Sequence, residues 1–268
     1  MSFIVANSGI RWHYNIQGEG KPLVFIHGWG VNMLIWRQQF KYFSQSYKVL
    51  TVDLPGHGKT NWQKESLQSI ALDFYSVLDE LELDKVTLVC SSMGGLIGLR
   101  LFEIAPLAIE RLIFVGSQPK FARSHDYPYG IDVERIRRLS SQVNTSYPSI
   151  INIFFRSLFS HEERQSRRFK WLQTFRKTDI IPEQGALVEW LDVLEKEDLR
   201  SVFHAIDLPM QFIYGDEDYI CPPELLVYLK EKFPKARFDI FQKCGHFPFL
   251  SKPHEFNQAL ENFLKNGH

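Results

Sequence analysis

Residues 86–105 constrain the fold more than any other stretch of the chain. Residues 86–89 (VTLV) read as a short apolar strand. The next six, Cys90-Ser91-Ser92-Met93-Gly94-Gly95, are small apart from Met93. Residues 96–105 then form a helical pattern that is apolar nearly all round. A strand and a helix that both lack a polar face must both be buried. The turn between them is then tight and lies deep in the molecule. A parallel sheet covered by helices on its two faces meets that demand.

The rest of the chain repeats the rhythm. Strand-like runs occur at residues 10–16, 23–26, 47–52, 112–115, 210–214 and 236–241. The first alternates in character and reads as an early antiparallel strand; the others are apolar on both faces. Helical periodicity marks residues 69–83, 223–233 and 253–264, the last two with a proline at the start. Alternation of this kind predicts a doubly wound α/β sheet. Residues 118–201 break it. They carry no strong strand run and read as helices at 133–139, 149–159, 162–175 and 187–194, inserted between core residues 1–117 and 202–268.

Composition removes other classes. A chain of 268 residues with 44% hydrophobic and 23% charged residues is ordinary globular material. Lys plus Arg equals Asp plus Glu at 31, so a wholly basic nucleic-acid binder is not expected. Three cysteines (Cys90, Cys221, Cys244) match no zinc pattern, and free thiols in a reducing cytoplasm are the simplest reading. No run reaches the roughly 20 apolar residues of a membrane span, and the opening residues do not have the pattern of a secretory leader. No metal or organic cofactor is expected.

The Cys90–Gly94 turn fits the nucleophile-elbow pattern G-x-S-x-G, with Cys90 in place of the first glycine. Ser92 is the candidate nucleophile, because Ser92 and not Ser91 has glycine two residues later. The plain alternative is a serine N-cap on the following helix. A serine hydroxyl needs a base, and the base needs an orienting acid. His246 follows the last strand-like run; of nine histidines it alone sits in a loop after a strand and behind both Ser92 and a strand-end acid. His27 and His57 sit in glycine turns and are expected to shape loops. Asp216 and Asp218 both follow the 210–214 run, and Asp53 also stands at a strand end. His27-Gly28-Trp29-Gly30 ends another run; with the elbow it assigns the Trp29 and Met93 backbone N–H groups as an oxyanion hole.

With these motifs in order, the chain resembles the α/β-hydrolase superfamily, and within it the methyl ester esterases that act on carrier-linked pimeloyl chains in biotin synthesis. The resemblance rests on four stretches. They are His27-Gly28-Trp29-Gly30 with Trp36; Asp53-Leu54-Pro55-Gly56-His57-Gly58; Ser117-Gln118-Pro119-Lys120-Phe121 with Tyr127-Pro128; and Gly245-His246-Phe247-Pro248-Phe249 with Pro253-His254-Glu255-Phe256. It implies an eight-stranded, mostly parallel sheet with residues 118–201 as a helical lid. It implies a Ser92, Asp218, His246 triad, since Gly215, Asp218 and Pro222 form the usual acid frame. Substrate contacts are implied at Trp29, Ser92, Met93, Phe154, Phe155, Arg156, Ser157, Leu158 and His246. Two positions depart from the family: Cys90 stands for a glycine and Ser91 for a large aromatic residue.

Charge adds a separate expectation. Residues 120–177 hold twelve basic and five acidic side chains, an excess of seven in a neutral protein. Arginine favours phosphate and carboxylate. An acidic acyl carrier protein docking at Arg156, Arg164, Arg167 and Arg168 is therefore one expectation, and a solvated helical face is the other. Two further readings keep the fold. One is a general short-chain esterase or a carbon–carbon bond hydrolase; the other is a non-catalytic small-molecule receptor. Epoxide hydrolases and dehalogenases place aspartate where this chain has Ser92.

Overall fold

The structure is a computed structural model that describes residues 2–176 and 180–266. Lys177 and His268 lie outside the described residues, as does the Arg176 side chain. In chain order the core opens with β1 (Ser2–Val5), β2 (Arg11–Gln17), β3 (Pro22–Ile26), α1 (Arg37–Phe43), β4 (Lys48–Val52) and α2 (Leu67–Glu80). It continues with β5 (Val86–Ser91), α3 (Gly94–Ile104) and β6 (Ile109–Val115). A helical segment follows: α4 (Val133–Ser146), α5 (Ser149–Ser157), α6 (His161–Gln165), α7 (Arg167–Arg176), α8 (Gln184–Lys196) and α9 (Arg200–His204). The core closes with β7 (Met210–Gly215), α10 (Pro223–Lys232), β8 (Arg237–Phe241), α11 (Pro248–Ser251) and α12 (Pro253–Asn266).

The eight strands form one sheet in the order β1-β2-β4-β3-β5-β6-β7-β8. β1 and β2 pair antiparallel, as do β2 and β4; the remaining ladders are parallel. The strand that patterning does not single out is β1. It has four residues, of which only Ile4 is buried, so it carries too little alternation to be read. β5 lies mid-sheet and is buried at every position, as its lack of a polar face requires.

Local chemistry sets the helix ends. Ser66 caps α2 by accepting the Ser69 N–H, and Leu67, Ile70, Phe74, Val77 and Leu78 turn into the core. In the helical segment the expected helix at 162–175 is two helices. Ser166 has extended backbone, accepts the Phe169 N–H and donates to the Glu163 carbonyl, so one side chain ends α6 and caps α7. α4 runs a further two turns beyond residue 139. Those turns are polar apart from the buried Val143, which hides them from a periodicity reading. Among the described residues, no helix is long and apolar enough to cross a membrane.

Candidate active site

The elbow is built by close approach. Ser92 sits at φ +52°, a left-handed conformation that costs an L-residue about 1–2 kcal/mol. Packing and hydrogen bonds hold it there. Ser92 N donates to Val115 O (2.9 Å), Gly95 N donates to Ser92 O (2.9 Å), and the Ser117 hydroxyl donates to the same carbonyl (2.6 Å). A Cβ on Gly94 would stand 2.7 Å from the His27 carbonyl, and one on Gly28 would stand 2.8 Å from the Ser92 Cβ. The two glycines therefore let the β3 and β5 loops interlock. Among the described residues, neither the Trp29 nor the Met93 backbone N–H has a hydrogen-bond acceptor.

Cys90 is accommodated across the turn. It is fully buried, and a Cβ on Gly98, one turn into α3, would lie 2.8 Å from its sulfur. The volume that glycine would leave free at position 90 is left free at position 98 instead. Ser91 is also fully buried, and its hydroxyl has no partner among the described residues; Ser92 is partly exposed and lines the cavity described below.

The histidine and the acid arrive from the last two parallel strands. His246 Nδ1 lies 2.7 Å from Asp218 Oδ2, both side chains being almost wholly buried. Asp218 Oδ1 accepts the Ile220 and Cys221 N–H groups at 2.8 and 3.2 Å. With both oxygens engaged, the carboxylate has one orientation. Asp216 instead accepts the Cys244 N–H, and Asp53 accepts from His13, Met33 N and Lys59 N, so neither reaches His246. Cys221 stands within metal-ligand range of Asp218 and His246. Burial and the Asp218 charge push its thiol well above the usual range.

His27 and His57 shape loops, as expected from their turns. His27 Nε2 accepts the Leu54 N–H, and His57 Nε2 accepts the Gly30 N–H. Both rings must be neutral to accept. Burial lowers His57 to about 3, helped by His27 and opposed by the Pro55 carbonyl and Asp53. Burial lowers His27 as well. Burial would raise the Asp53 carboxyl, but the His13 hydrogen bond, the nearby His27 and two backbone N–H groups hold it below its ordinary value.

A cavity of about 460 Å³ lies between the strand ends and the helical segment. Ser92, His246, Trp29, Phe154, Ser157 and Leu158 line it. Its walls are mostly apolar, from Phe121, Ile136, Leu139, Leu191, Ile220 and Phe247. Trp29 ties the core to this segment: its indole N–H donates to Leu187 O (3.0 Å) and its ring meets Phe154 edge-on at 4.9 Å.

Several expected contacts lie elsewhere. The Met93 side chain is buried away from the cavity, which leaves only its N–H for the site. Phe155 turns inward against Phe159 and Phe247, and Arg156 points outward, exposed. Arg164, Arg167 and Arg168 do not line the cavity. Arg164 donates to Phe159 O and Arg168 to Leu250 O, so those two guanidinium groups hold backbone in place. The charged residues that do line it are Asp132, Glu134, Arg135 and Arg138, where α4 begins. Sequence reading missed Arg135, Arg138 and Tyr219 as lining residues. The Arg135 guanidinium lies 4.3 Å over the Tyr219 ring, and the Tyr219 hydroxyl meets Ser157 Oγ at 2.8 Å.

The family described as alpha/beta hydrolase fold matches residues 21–253. The chain belongs to the α/β-hydrolase family. Among its curated relatives, the pimeloyl-[acyl-carrier protein] methyl ester esterase of Nitrosomonas europaea is 31% identical over 253 residues, covering 93% of this hydrolase and 98% of that protein. The protein of the same description from Wigglesworthia glossinidia brevipalpis is 31% identical, covering 94% and 97%. An esterase from Exiguobacterium antarcticum superposes with TM-score 0.91 at 26% identity, over 99% of each chain. With esterases among both its curated relatives and its structural neighbours, the hydrolase is a carboxylic ester hydrolase.

Proposed function

We propose that the protein is a serine esterase that cleaves the methyl ester of a carrier-linked pimeloyl chain through a Ser92 acyl-enzyme. The observation that carries the reading is the arrangement around one apolar cavity. Ser92, partly exposed on a strained elbow, lines it together with Trp29 and with His246, whose Nδ1 engages the buried Asp218, and among the described residues the Trp29 and Met93 backbone N–H groups have no acceptor. Ser92 attacks the ester carbonyl while His246 takes its proton. The Trp29 and Met93 N–H groups hold the oxyanion, each such donor contributing about 3 kcal/mol. His246 protonates the departing methoxide, and water then releases the acid with His246 as base. Asp218 orients the imidazole.

The substrate assignment draws on the relatives' names and on the shape and charge of the cavity. A mostly apolar volume within the ordinary range for small-molecule sites suits an alkyl chain. Residues 118–201 act as the lid over it. Arg135 and Arg138 line the cavity beside Asp132 and Glu134, two charges of each sign, and the reading assigns the acidic carrier's contact to these two arginines on α4 rather than to α7. Arg156, exposed on α5, adds a further positive charge. A biosynthetic carrier substrate places the enzyme in the cytoplasm. The test compares kcat/KM for pimeloyl methyl ester on its carrier with that for free short-chain esters. Preference for the carrier-linked ester of at least tenfold is expected. Equal or better turnover of free esters reduces the reading to a general carboxylesterase.

A further inference from the structure

The loop that carries His246 is gripped from two sides. On the core side Asp216 Oδ1 accepts the Cys244 N–H at 3.1 Å. On the other side the grip comes from the corner between α5 and α6. The Ser160 hydroxyl donates to Lys243 O (3.2 Å), and Leu158 O accepts the His246 N–H (2.8 Å). Between them stands Glu163, a carboxylate only 8% exposed. Its Oε2 accepts the Gly245 N–H at 2.9 Å and the Ser160 N–H at 2.6 Å, and its Oε1 accepts the Cys244 thiol at 3.2 Å. Four consecutive loop residues, 243 to 246, are thus bonded to residues 158–163 of the inserted segment.

Capping alone does not call for this arrangement. The Ser160–Glu163 capping box needs one hydrogen bond in each direction and works at a solvated helix end. Here the same carboxylate is buried and takes two further donors from the residues just before His246. Burying a carboxylate is costly unless donors surround it, so the segment's burial of Glu163 against this loop fixes both partners.

We infer that Glu163 is a positioning residue for the reaction: from the lid it holds the Cys244 thiol and the Gly245 N–H and so fixes where the His246 imidazole stands. The inference rests on His246 being the general base, as proposed above. The lid corner at residues 158–163 is then a fixed part of the catalytic machinery and not a cover that swings clear.

Both N–H groups fall on one oxygen, so a glutamine amide oxygen can accept both, whereas an aspartate is one methylene too short to reach Gly245. The experiment measures kcat and KM for p-nitrophenyl acetate with the full-length chain carrying Glu163→Ala, Glu163→Asp or Glu163→Gln. Each is made alone and in the His246→Ala background. Expected is a loss in kcat of tenfold or more for Ala and Asp, with KM within twofold, and retention of at least a third of kcat for Gln. Once His246 is gone, the Glu163 substitutions should cost nothing further, because residues acting as one unit are not additive. Glu163→Asp keeps the charge at the helix start, so it provides a folded variant if Ala does not fold. A kcat for Asp within twofold of the parent overturns the inference, as does equal loss in Gln and Ala. A loss that persists undiminished in the His246→Ala background also overturns it. Full turnover by His246→Ala alone would instead sink the base assignment, and this inference with it.

Discussion

At the residue scale the elbow shows what one sequence motif carries and what it leaves out. Gly94 marks Ser92 because the contact it permits, against the His27 carbonyl, belongs to every tight elbow of this kind. The departure at Cys90 was legible as a departure, but its compensation was not, since the space comes from Gly98, eight residues away and across the turn. Gly98→Ala should therefore destabilise the protein by about 1–3 kcal/mol through overpacking, although alanine is the better helix former. Cys90→Gly in the same chain should recover most of that loss. Urea unfolding of the two single variants and the double variant checks the coupling; strict additivity would refute it.

His57 gives a second prediction at this scale. In the unfolded chain its ordinary value is 6.5, and burial takes the folded value to about 3. Between those values the unfolded chain binds a proton that the folded one refuses, so stability rises with pH across this window. Below pH 6.5 the protein should lose stability progressively down to about pH 3, with His27 contributing in the same direction. His57→Gln keeps an acceptor for the Gly30 N–H and should flatten that slope. An unchanged dependence of Tm on pH in the variant would contradict the assignment.

At the element scale, helices with an apolar face were legible and their breaks were not. Residues 162–175 read as one helix because amphipathic character runs through Ser166, whose side chain in fact ends one helix and begins the next. The net charge of the inserted segment was also legible, but not its direction. A count does not show that Arg164 and Arg168 are bound to carbonyls while Arg135 and Arg138 line the cavity. Arg135→Glu with Arg138→Glu should accordingly raise KM for the carrier-linked ester tenfold or more and leave neutral short esters within about twofold. The carrier reaction alone should weaken with salt, as the Debye length falls from about 10 Å at 0.1 M to about 3 Å at 1 M. Equal salt dependence of the two substrates would make the charge a solvated face.

At the scale of the whole molecule, runs apolar on both faces announced a covered parallel sheet. That sheet explains why residues distant in sequence meet. Ser92, Asp218 and His246 follow β5, β7 and β8, whose parallel ladders bring their carboxyl ends to one side. The cavity opening there was not legible, because its walls come from α4, α5 and α8 and from the loops after β3, β5, β6, β7 and β8, whose packing no local pattern records. The claim on which the rest depends is that Ser92 is the nucleophile of this site. Mass spectrometry of the protein treated with a fluorophosphonate probe tests it directly, by locating the adduct within the peptide that holds both serines. The adduct should sit on Ser92, form in Ser91→Ala and be absent from Ser92→Ala. An adduct on Ser91, or ester turnover that survives Ser92→Ala, would contradict the account.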